Sequence, residues 1–178
     1  MVLIETNYWL KVGCDITVNI IADVLFLYLV FNFIKPKLRI SPYITETIEA
    51  SVPVFKVKFY NKDWFFKSCD IEILLTECRI ISNGKDVSKK DYQLTNGYVP
   101  ILDSELAGKK SKSNDHACKI KIREPLRVFL NEQNHYIEMC VKAKHQLSGI
   151  TKVFYQRFDL DSIKGRDFKQ GSNIEVIV

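Results

Sequence analysis

Four polar side chains recur at a spacing of four residues inside the apolar N-terminal segment. They are Lys11, Asp15, Asn19 and Asp23. At 3.6 residues per turn, this spacing places them along one slowly drifting face of a helix. An ionisable side chain at membrane depth costs roughly 2.5 kcal/mol or more, so it normally faces a bundle interior or water. We therefore expect these residues, the polar seam, to line a pore or a wet oligomer interface, where rings of carboxylates favour cations.

Two members of the polar seam have an alternative role. Lys11 and Asp15 could lie outside the hydrocarbon and form an ordinary i,i+4 ion pair. Asp23 lies eleven residues before Ile34, which is about 16 Å along a helix and close to mid-bilayer. An isolated helix cannot hide such a residue from lipid. We expect the helix to associate with copies of itself, with a tetramer favoured, or with a partner protein.

A second set of candidate residues is basic and aromatic and follows the apolar segment. Residues 35–178 hold 25 of the 26 Lys and Arg residues and 18 of the 21 acidic residues, which gives this part a charge of +7. Such a surface could bind a nucleotide, a single-stranded oligonucleotide or an acidic lipid surface, and aromatic rings stack on bases at about 1–3 kcal/mol each. The alternative is a solvated sheet face with lysines protecting its edges. The candidate ligand-binding residues are Lys56, Lys58, Lys119, Lys121, Arg123, Lys142, Lys144, Tyr155 and Arg157.

Catalytic and metal-binding motifs are missing from the sequence. It has no Walker loop, GxGxxG, GxSxG or HExxH motif and no zinc-ligand spacing. The three histidines, His116, His135 and His145, fall at predicted loop and strand ends, where we expect surface or turn roles. We therefore expect no enzyme activity, no bound metal and no cofactor.

The element that must carry the polar seam is one long helix. Residues 16–34 contain a single charged residue, Asp23, and about 20 apolar residues are enough to cross a bilayer. The helix can begin near Tyr8, and Pro36 ends it. A cleaved signal peptide and a buried soluble helix are the alternatives. A signal peptide would carry a basic start and a small-residue cleavage site.

The distribution of basic residues predicts the orientation of this span. Lys35, Lys37 and Arg39 follow it, whereas only Lys11 precedes it. Because basic loops stay inside, we expect a single-pass protein of the bacterial inner membrane with its N-terminus outside and its C-terminal domain in the cytoplasm. Five cysteines without a CxxC pair agree with a reducing compartment.

The elements that must carry the basic set are β-strands. Residues 52–60, 69–81, 117–123, 136–144, 150–160 and 173–178 alternate apolar and polar side chains or are rich in β-branched and aromatic residues. Alternation of apolar and polar residues, which gives one buried and one solvent-exposed face, is typical of an antiparallel sheet. We expect an all-β antiparallel sandwich, immunoglobulin-like, or a small barrel. The clearest hairpin joins residues 136–145 to 150–160, and residues 106–116 indicate a mobile loop.

These patterns divide the chain into three parts. Residues 1–34 form the N-terminal segment and transmembrane helix, residues 35–42 a juxtamembrane connector, and residues 43–178 the β-domain. The connector is too short to be a flexible tether. We therefore expect movement of the domain to reach the helix.

The layout resembles small bacterial anti-phage membrane effectors. The resemblance rests on the polar-seamed span Lys11–Asp23, the strand Val54–Tyr60 and the hairpin from His145 to Phe154. The membrane channel of the Hailong defence system and the two-span β-barrel effectors of CBASS systems have a similar architecture, although this chain has one span. The resemblance implies a membrane pore gated by a nucleotide or an oligodeoxynucleotide bound to the β-domain.

Two other functions remain open from the sequence. One is a membrane-tethered binding or scaffold subunit of a larger complex, whose polar seam pairs with another protein. The other is a periplasmic Ig-like domain with the opposite topology, which the basic residues after the span oppose.

Overall fold

A computed structural model describes residues 2–81, 87–92, 94, 96–111, 115–132, 134–169 and 174–177, without the side chains of residues 2–10 and 111. The chain divides into two compact units, Met1–Lys35 and Pro36–Val178. Residues 82–84, whose Ser-Asn-Gly sequence is typical of a turn, lie outside the described residues.

The first unit is the predicted helix. α1 runs without interruption from Val2 to Phe33, so it begins several residues before Tyr8. Its segment Lys11–Phe33 is long and apolar enough to span a membrane. At 1.5 Å per residue, this segment is about 34 Å long, against a hydrocarbon thickness of about 30 Å. The helix ends three residues before Pro36, as proline chemistry predicts.

The second unit is built from two sheets. Its elements are β1 (Leu38–Glu49), β2 (Val52–Asn61), β3 (Ser68–Ile80), β4 (Val87–Tyr92), β5 (Tyr98–Leu102), α2 (Glu105–Ser111), β6 (Ala117–Ile122), α3 (Leu126–Leu130), β7 (His135–His145), β8 (Thr151–Phe158) and β9 (Ile163–Lys164). The first sheet has the order β6-β2-β1-β9. The second has the order β4-β3-β7-β8, with β5 also paired to β3. Among the described residues, all strand pairs are antiparallel except β1 with β9, and neither sheet closes into a barrel.

The two sheets share one hydrophobic core, because each turns its apolar alternate residues toward the other. The first sheet contributes Ile44, Phe55, Val57, Phe59, Ile120 and Ile122, and the second contributes Ile71, Leu75, Ile137, Met139, Val141 and Phe158. This arrangement confirms the predicted antiparallel β-domain. The predicted hairpin is confirmed as well, since β7 pairs with β8 from Ile137↔Phe158 to Lys144↔Thr151.

Three local predictions differ from the structure. Residues 106–116 are not simply a loop, because α2 occupies their first half, with Lys109 paired to Glu105 at 2.6 Å; residues 112–114 lie outside the described part. β1 begins at Leu38, so much of the predicted connector 35–42 is strand. In the predicted final strand 173–178, the structure describes residues 174–177 and pairs Val176 with Phe168 in an isolated bridge.

Candidate anion-binding groove

The polar seam lies on one unbroken helix. Lys11, Asp15, Asn19 and Asp23 all fall within α1, and all four are exposed. Because α1 is regular throughout, their common face follows from its 3.6-residue turn. Asp23 lies ten residues before Phe33, which is about 15 Å from the end of the helix. The role of the polar seam as a pore lining remains a prediction.

The nine residues of the predicted ligand-binding set do not form one patch. Lys56, Lys58, Lys119 and Lys121 lie on β2 and β6 of the first sheet, and Arg123 follows β6. The remaining four, Lys142, Lys144, Tyr155 and Arg157, lie on β7 and β8 of the second sheet. A ligand at either sheet would therefore meet only part of the set.

On the first sheet, the prediction that Lys56 and Lys58 of β2 face solvent is wrong. Lys56 is 8% exposed and Lys58 only 2%. They are covered by the C-terminal strap, which we define as residues 165–169 and 174–177. Its Phe168 is buried, and its Lys169 carbonyl oxygen accepts a 2.8 Å hydrogen bond from Lys58 Nζ. Alternation correctly placed these lysines opposite the core, but a distant segment buries them there.

Two carboxylates bridge the lysines of this face. Glu49 pairs with Lys56 at 2.9 Å and with Lys121 at 2.8 Å, and Asp167 pairs with Lys56 at 3.6 Å and Lys119 at 3.2 Å. The network links β1, β2 and β6 to the C-terminal strap. These lysines therefore take part in an ion-pair network of the domain, and their ligand-binding role remains a prediction.

The electrostatics of the network follow from burial and pairing. Burial, helped by the nearby positive charge of Lys119, lowers the pKa of Lys58 to about 8. Burial also opposes the charge on Lys56, but the Glu49 hydrogen bond and the charge of Asp167 outweigh it, so the pKa of Lys56 lies above its ordinary value. Hydrogen bonds from Lys121 and Lys56 lower the pKa of Glu49.

On the second sheet, the predicted basic residues form exposed cross-strand pairs. Lys142 pairs with Glu72 at 3.1 Å, and Lys144 pairs with Asp70 at 3.4 Å. Cross-strand pairs of opposite charge stabilise a sheet by a few tenths to 1 kcal/mol. This face resembles the solvated alternative more than a bare cationic surface.

The edge strand β8 carries the last two predicted residues. Arg157 pairs with Asp159 at 3.2 Å and places its guanidinium 3.9 Å from the ring centre of Tyr136. Tyr155 lies beside Arg157 in the alternation and is 66% exposed.

The C-terminal strap creates a groove that the sequence patterns did not predict. Phe168 pairs with Val176, and Ile177 N donates a 3.0 Å hydrogen bond to the Asp167 carbonyl oxygen. Ser41 Oγ in β1 donates a 3.3 Å hydrogen bond to the Ile174 carbonyl oxygen. The groove beside the strap has a volume of about 540 Å³ and is lined by Tyr43, Lys164, Gly165, Arg166, Lys169, Glu175, Val176 and Ile177.

The lining of this groove suits an anion next to a planar ring. Lys164 Nζ lies 5.5 Å from the ring centre of Tyr43. Lys169 pairs with Glu175 at 2.8 Å, and Arg166 is exposed. The groove therefore holds three cations against one carboxylate. A guanidinium binds phosphate bidentately, and a tyrosine face stacks on a base.

Only some of the residues that line this groove could be recognised from the sequence. Lys164, Gly165 and Arg166 form a basic turn, but the Lys-Gly pair by itself indicates no more than a turn. Tyr43 lies more than 100 positions earlier in the chain, and only the parallel pairing of β1 with β9, at Ile44↔Ile163, brings it to the same place. Local periodicity carries no information about such a contact.

The histidines and cysteines do not form a metal site among the residues that the structure describes. Two histidines are not surface residues, because His116 is 1% exposed and His145 is fully buried. His145 fits the alternative turn role, since its Nδ1 accepts a 3.3 Å hydrogen bond from Ser148 N. Burial lowers the pKa of both imidazoles. The five cysteines are free thiols.

The chain matches no protein-family model, and no curated protein matches its sequence. The resemblance to anti-phage membrane effectors thus rests on layout alone.

Proposed function

We propose that this chain is a membrane-anchored effector whose N-terminal helices associate into an ion-conducting assembly and whose β-domain receives an anionic ligand. One observation carries the proposal. The apolar side chains of residues 16–33, apart from the half-buried Val30, are exposed along the helix, with Phe26 at 65% and Val24 at 61%. Soluble proteins rarely expose a continuous apolar surface of this size, and a lipid bilayer removes the cost of exposing it.

The polar seam supports self-association of this helix. Asp23 and Asn19 lie on the same face of a segment otherwise suited to lipid. Several copies could place these side chains against each other or against water, which avoids the cost of exposing them to hydrocarbon. A ring of such carboxylates would attract cations.

We further propose the orientation and setting that the sequence predicts. Lys35, Lys37 and Arg39 favour a cytoplasmic β-domain, and the layout resembles anti-phage effectors of the bacterial inner membrane. An Ig-like arrangement is supported by the strand order. The runs β6-β2-β1 and β4-β3-β7-β8 correspond to strands E-B-A and C′-C-F-G of that fold.

For the ligand, we propose a nucleotide or a short single-stranded oligonucleotide in the groove beside the C-terminal strap. Lys164, Arg166 and Tyr43 supply phosphate contacts and a stacking face there. The strap also connects to the buried lysines through Asp167 and Lys169. A ligand that moves the strap would therefore perturb the first sheet.

The pore is tested by cation flux from liposomes that contain the full chain. We expect Asp23→Ala and Asn19→Leu to change the flux, whereas Leu25→Ala, two positions away and off the polar seam, leaves it unchanged. Unchanged flux in both seam variants would remove the pore-lining role.

The ligand site is tested by binding of a labelled single-stranded oligonucleotide at several salt concentrations. Each phosphate contact contributes about 0.7 to the slope of log affinity against log salt. The double variant Lys164→Ala/Arg166→Ala should lower that slope by about 1.4. The matched double variant Lys142→Ala/Lys144→Ala removes the same charge from the second sheet and should have a smaller effect. Equal effects of the two pairs would refute a localised groove site.

A second candidate function is a membrane-tethered binding or scaffold subunit. The ion pairs of Lys56, Lys119, Lys121, Lys142 and Lys144 favour it, because they leave less free positive charge than the sequence suggested. A scaffold subunit would be a monomer when purified alone, whereas an effector would be an oligomer.

A further inference from the structure

The turn between β2 and β3 presents two large aromatic side chains to solvent. We call residues 62–67 the aromatic loop. Its Trp64 is 48% exposed and Phe65 is 68% exposed. Neighbouring exposed Trp and Phe residues at a loop tip are a frequent feature of surfaces that meet a membrane or a partner.

Buried polar side chains hold the aromatic loop in place. Asp63 Oδ1 accepts hydrogen bonds from the backbone N–H groups of Phe65 at 3.1 Å and Phe66 at 3.0 Å. Asn61 Nδ2 donates to the Phe66 carbonyl oxygen at 2.8 Å, and Asn61 Oδ1 accepts from Asp63 N at 3.0 Å. The exposure of the two aromatic rings is therefore built into the fold of the loop.

The aromatic loop lies where the chain enters the β-domain. Lys62 N donates a 2.7 Å hydrogen bond to the Lys37 carbonyl oxygen, and Lys37 Nζ lies 3.7 Å from Asp63 Oδ2. From Phe33, the last residue of α1, to Leu38 there are five residue steps, which span at most about 18 Å. If α1 crosses a bilayer, chain connectivity keeps Lys37 and the loop bonded to it close to the bilayer surface.

Around the aromatic loop, lysine side chains are more exposed to solvent than the acidic side chains with which they pair. In three ion pairs at this end, the lysine side chain is more exposed than its acidic partner: 39% against 5% for Lys37–Asp63, 41% against 24% for Lys67–Asp103 and 50% against 17% for Lys109–Glu105. Lys109 Nζ also lies 5.5 Å from the ring centre of Trp64. An aromatic tip surrounded by lysines is complementary to the headgroup region of an anionic bilayer.

We propose that the aromatic loop docks on an anionic lipid surface, with Trp64 and Phe65 inserted at the level of the headgroups. This proposal rests on the membrane anchoring proposed above. It adds a second, peripheral contact that limits how freely the β-domain moves on its short connector. The turn at residues 146–149 would contribute Leu147, which is 68% exposed, because Gln146 N donates to the Lys67 carbonyl oxygen at 3.2 Å.

The test uses the two tryptophans of the chain, Trp9 and Trp64. The full chain with Trp9→Phe is reconstituted into vesicles of phosphatidylcholine and phosphatidylglycerol, in which part of the lipid carries bromine near the headgroup end of its acyl chains. We expect the bromine to quench Trp64 fluorescence and iodide in the water to quench it little. Full iodide quenching without bromine quenching would overturn the proposal. Protection from both quenchers would indicate a protein partner and would also overturn it.

Two further variants separate this proposal from the anchoring on which it rests. Trp64→Phe leaves Trp9 as the reporter of the N-terminal helix, and bromine quenching of Trp9 shows that the helix is in the bilayer. If Trp9 is quenched and Trp64 is not, only the loop proposal fails. If neither is quenched, both fail. Val128→Trp, added to a chain without Trp9 and Trp64, places a tryptophan at an exposed position of α3 and should show no bromine quenching.

The position of that control follows from the strand register. β6 begins beside the aromatic loop, where Ala117 pairs with Tyr60, and ends where Ile122 pairs with Phe55. α3 therefore follows the end of β6 that points away from the loop. If bromine quenches the Val128→Trp control as strongly as it quenches Trp64, the domain meets the bilayer without the proposed orientation, which also contradicts the proposal.

Discussion

Replacing Asp63 should loosen the aromatic loop. The Asp63→Ala variant removes an acceptor that serves two backbone N–H groups, those of Phe65 and Phe66. Hydrogen bonds to a charged acceptor contribute about 1.5–3 kcal/mol each. Water can reach part of the freed loop, and the buried carboxylate no longer has to be desolvated. Both effects lower the expected net loss to about 2–4 kcal/mol.

The assay is thermal unfolding of the full chain in detergent, followed by near-ultraviolet circular dichroism. For a domain of this size, 1 kcal/mol corresponds to roughly 3–4 °C in Tm, so Asp63→Ala should melt roughly 6–16 °C lower. Asp63→Asn keeps a side-chain oxygen as acceptor and should lose about half as much. The control Asp161→Ala changes an exposed carboxylate and should stay within about 0.5 kcal/mol of the unchanged chain. If the Asp63→Ala variant has the same Tm as the control variant, the Asp63 hydrogen bonds do not hold the aromatic loop in place.

Three further predictions concern burial and backbone geometry. Burial lowers the pKa of Lys58 from 10.5 to about 8, so the unfolded state holds this proton more tightly than the folded state. The contribution of Lys58 to the free energy of unfolding should therefore rise between pH 8 and 10.5. Urea denaturation of the Lys58→Met variant should lack this rise, and a pH profile identical to that of the original protein would contradict the burial argument. Gly108→Ala would place a Cβ against the buried His116 ring and should cost about 1–3 kcal/mol of stability. The control Gly165→Ala places its Cβ where no atom lies within 4 Å and should be neutral. Equal Tm values for the two variants would refute the clash. Ser51 has φ 66° in the β1–β2 turn, so Ser51→Gly should raise the free energy of unfolding by about 0.5 kcal/mol, and a loss of stability would show that its side chain matters more than its backbone.

The sequence predicted the elements whose signals are local. An apolar run and a following proline were enough for α1, and alternation with a short polar turn was enough for the β7–β8 hairpin. Alternation also placed Lys56 and Lys58 on the face opposite the core. It could not show that this face is covered, because Phe168 and Lys169 lie more than 100 positions away.

The candidate groove and the aromatic loop depend on contacts of the same long-range kind. Tyr43 meets Lys164 only through the pairing of β1 with β9. Periodicity did not predict the helix α2, because it is only seven residues long. It also depends on tertiary contacts such as the packing of Gly108 against His116. Periodicity identifies which residues share a face, and only the folded chain shows what lies against that face.

Self-association of the N-terminal helix is tested by the mass of the intact protein in detergent, measured by light scattering with the detergent contribution subtracted. We predict a defined oligomer, with a tetramer favoured, and partial or complete dissociation when Asp23→Leu and Asn19→Leu are combined. A monomeric unchanged chain would contradict association through the polar seam and would leave the tethered scaffold as the better description.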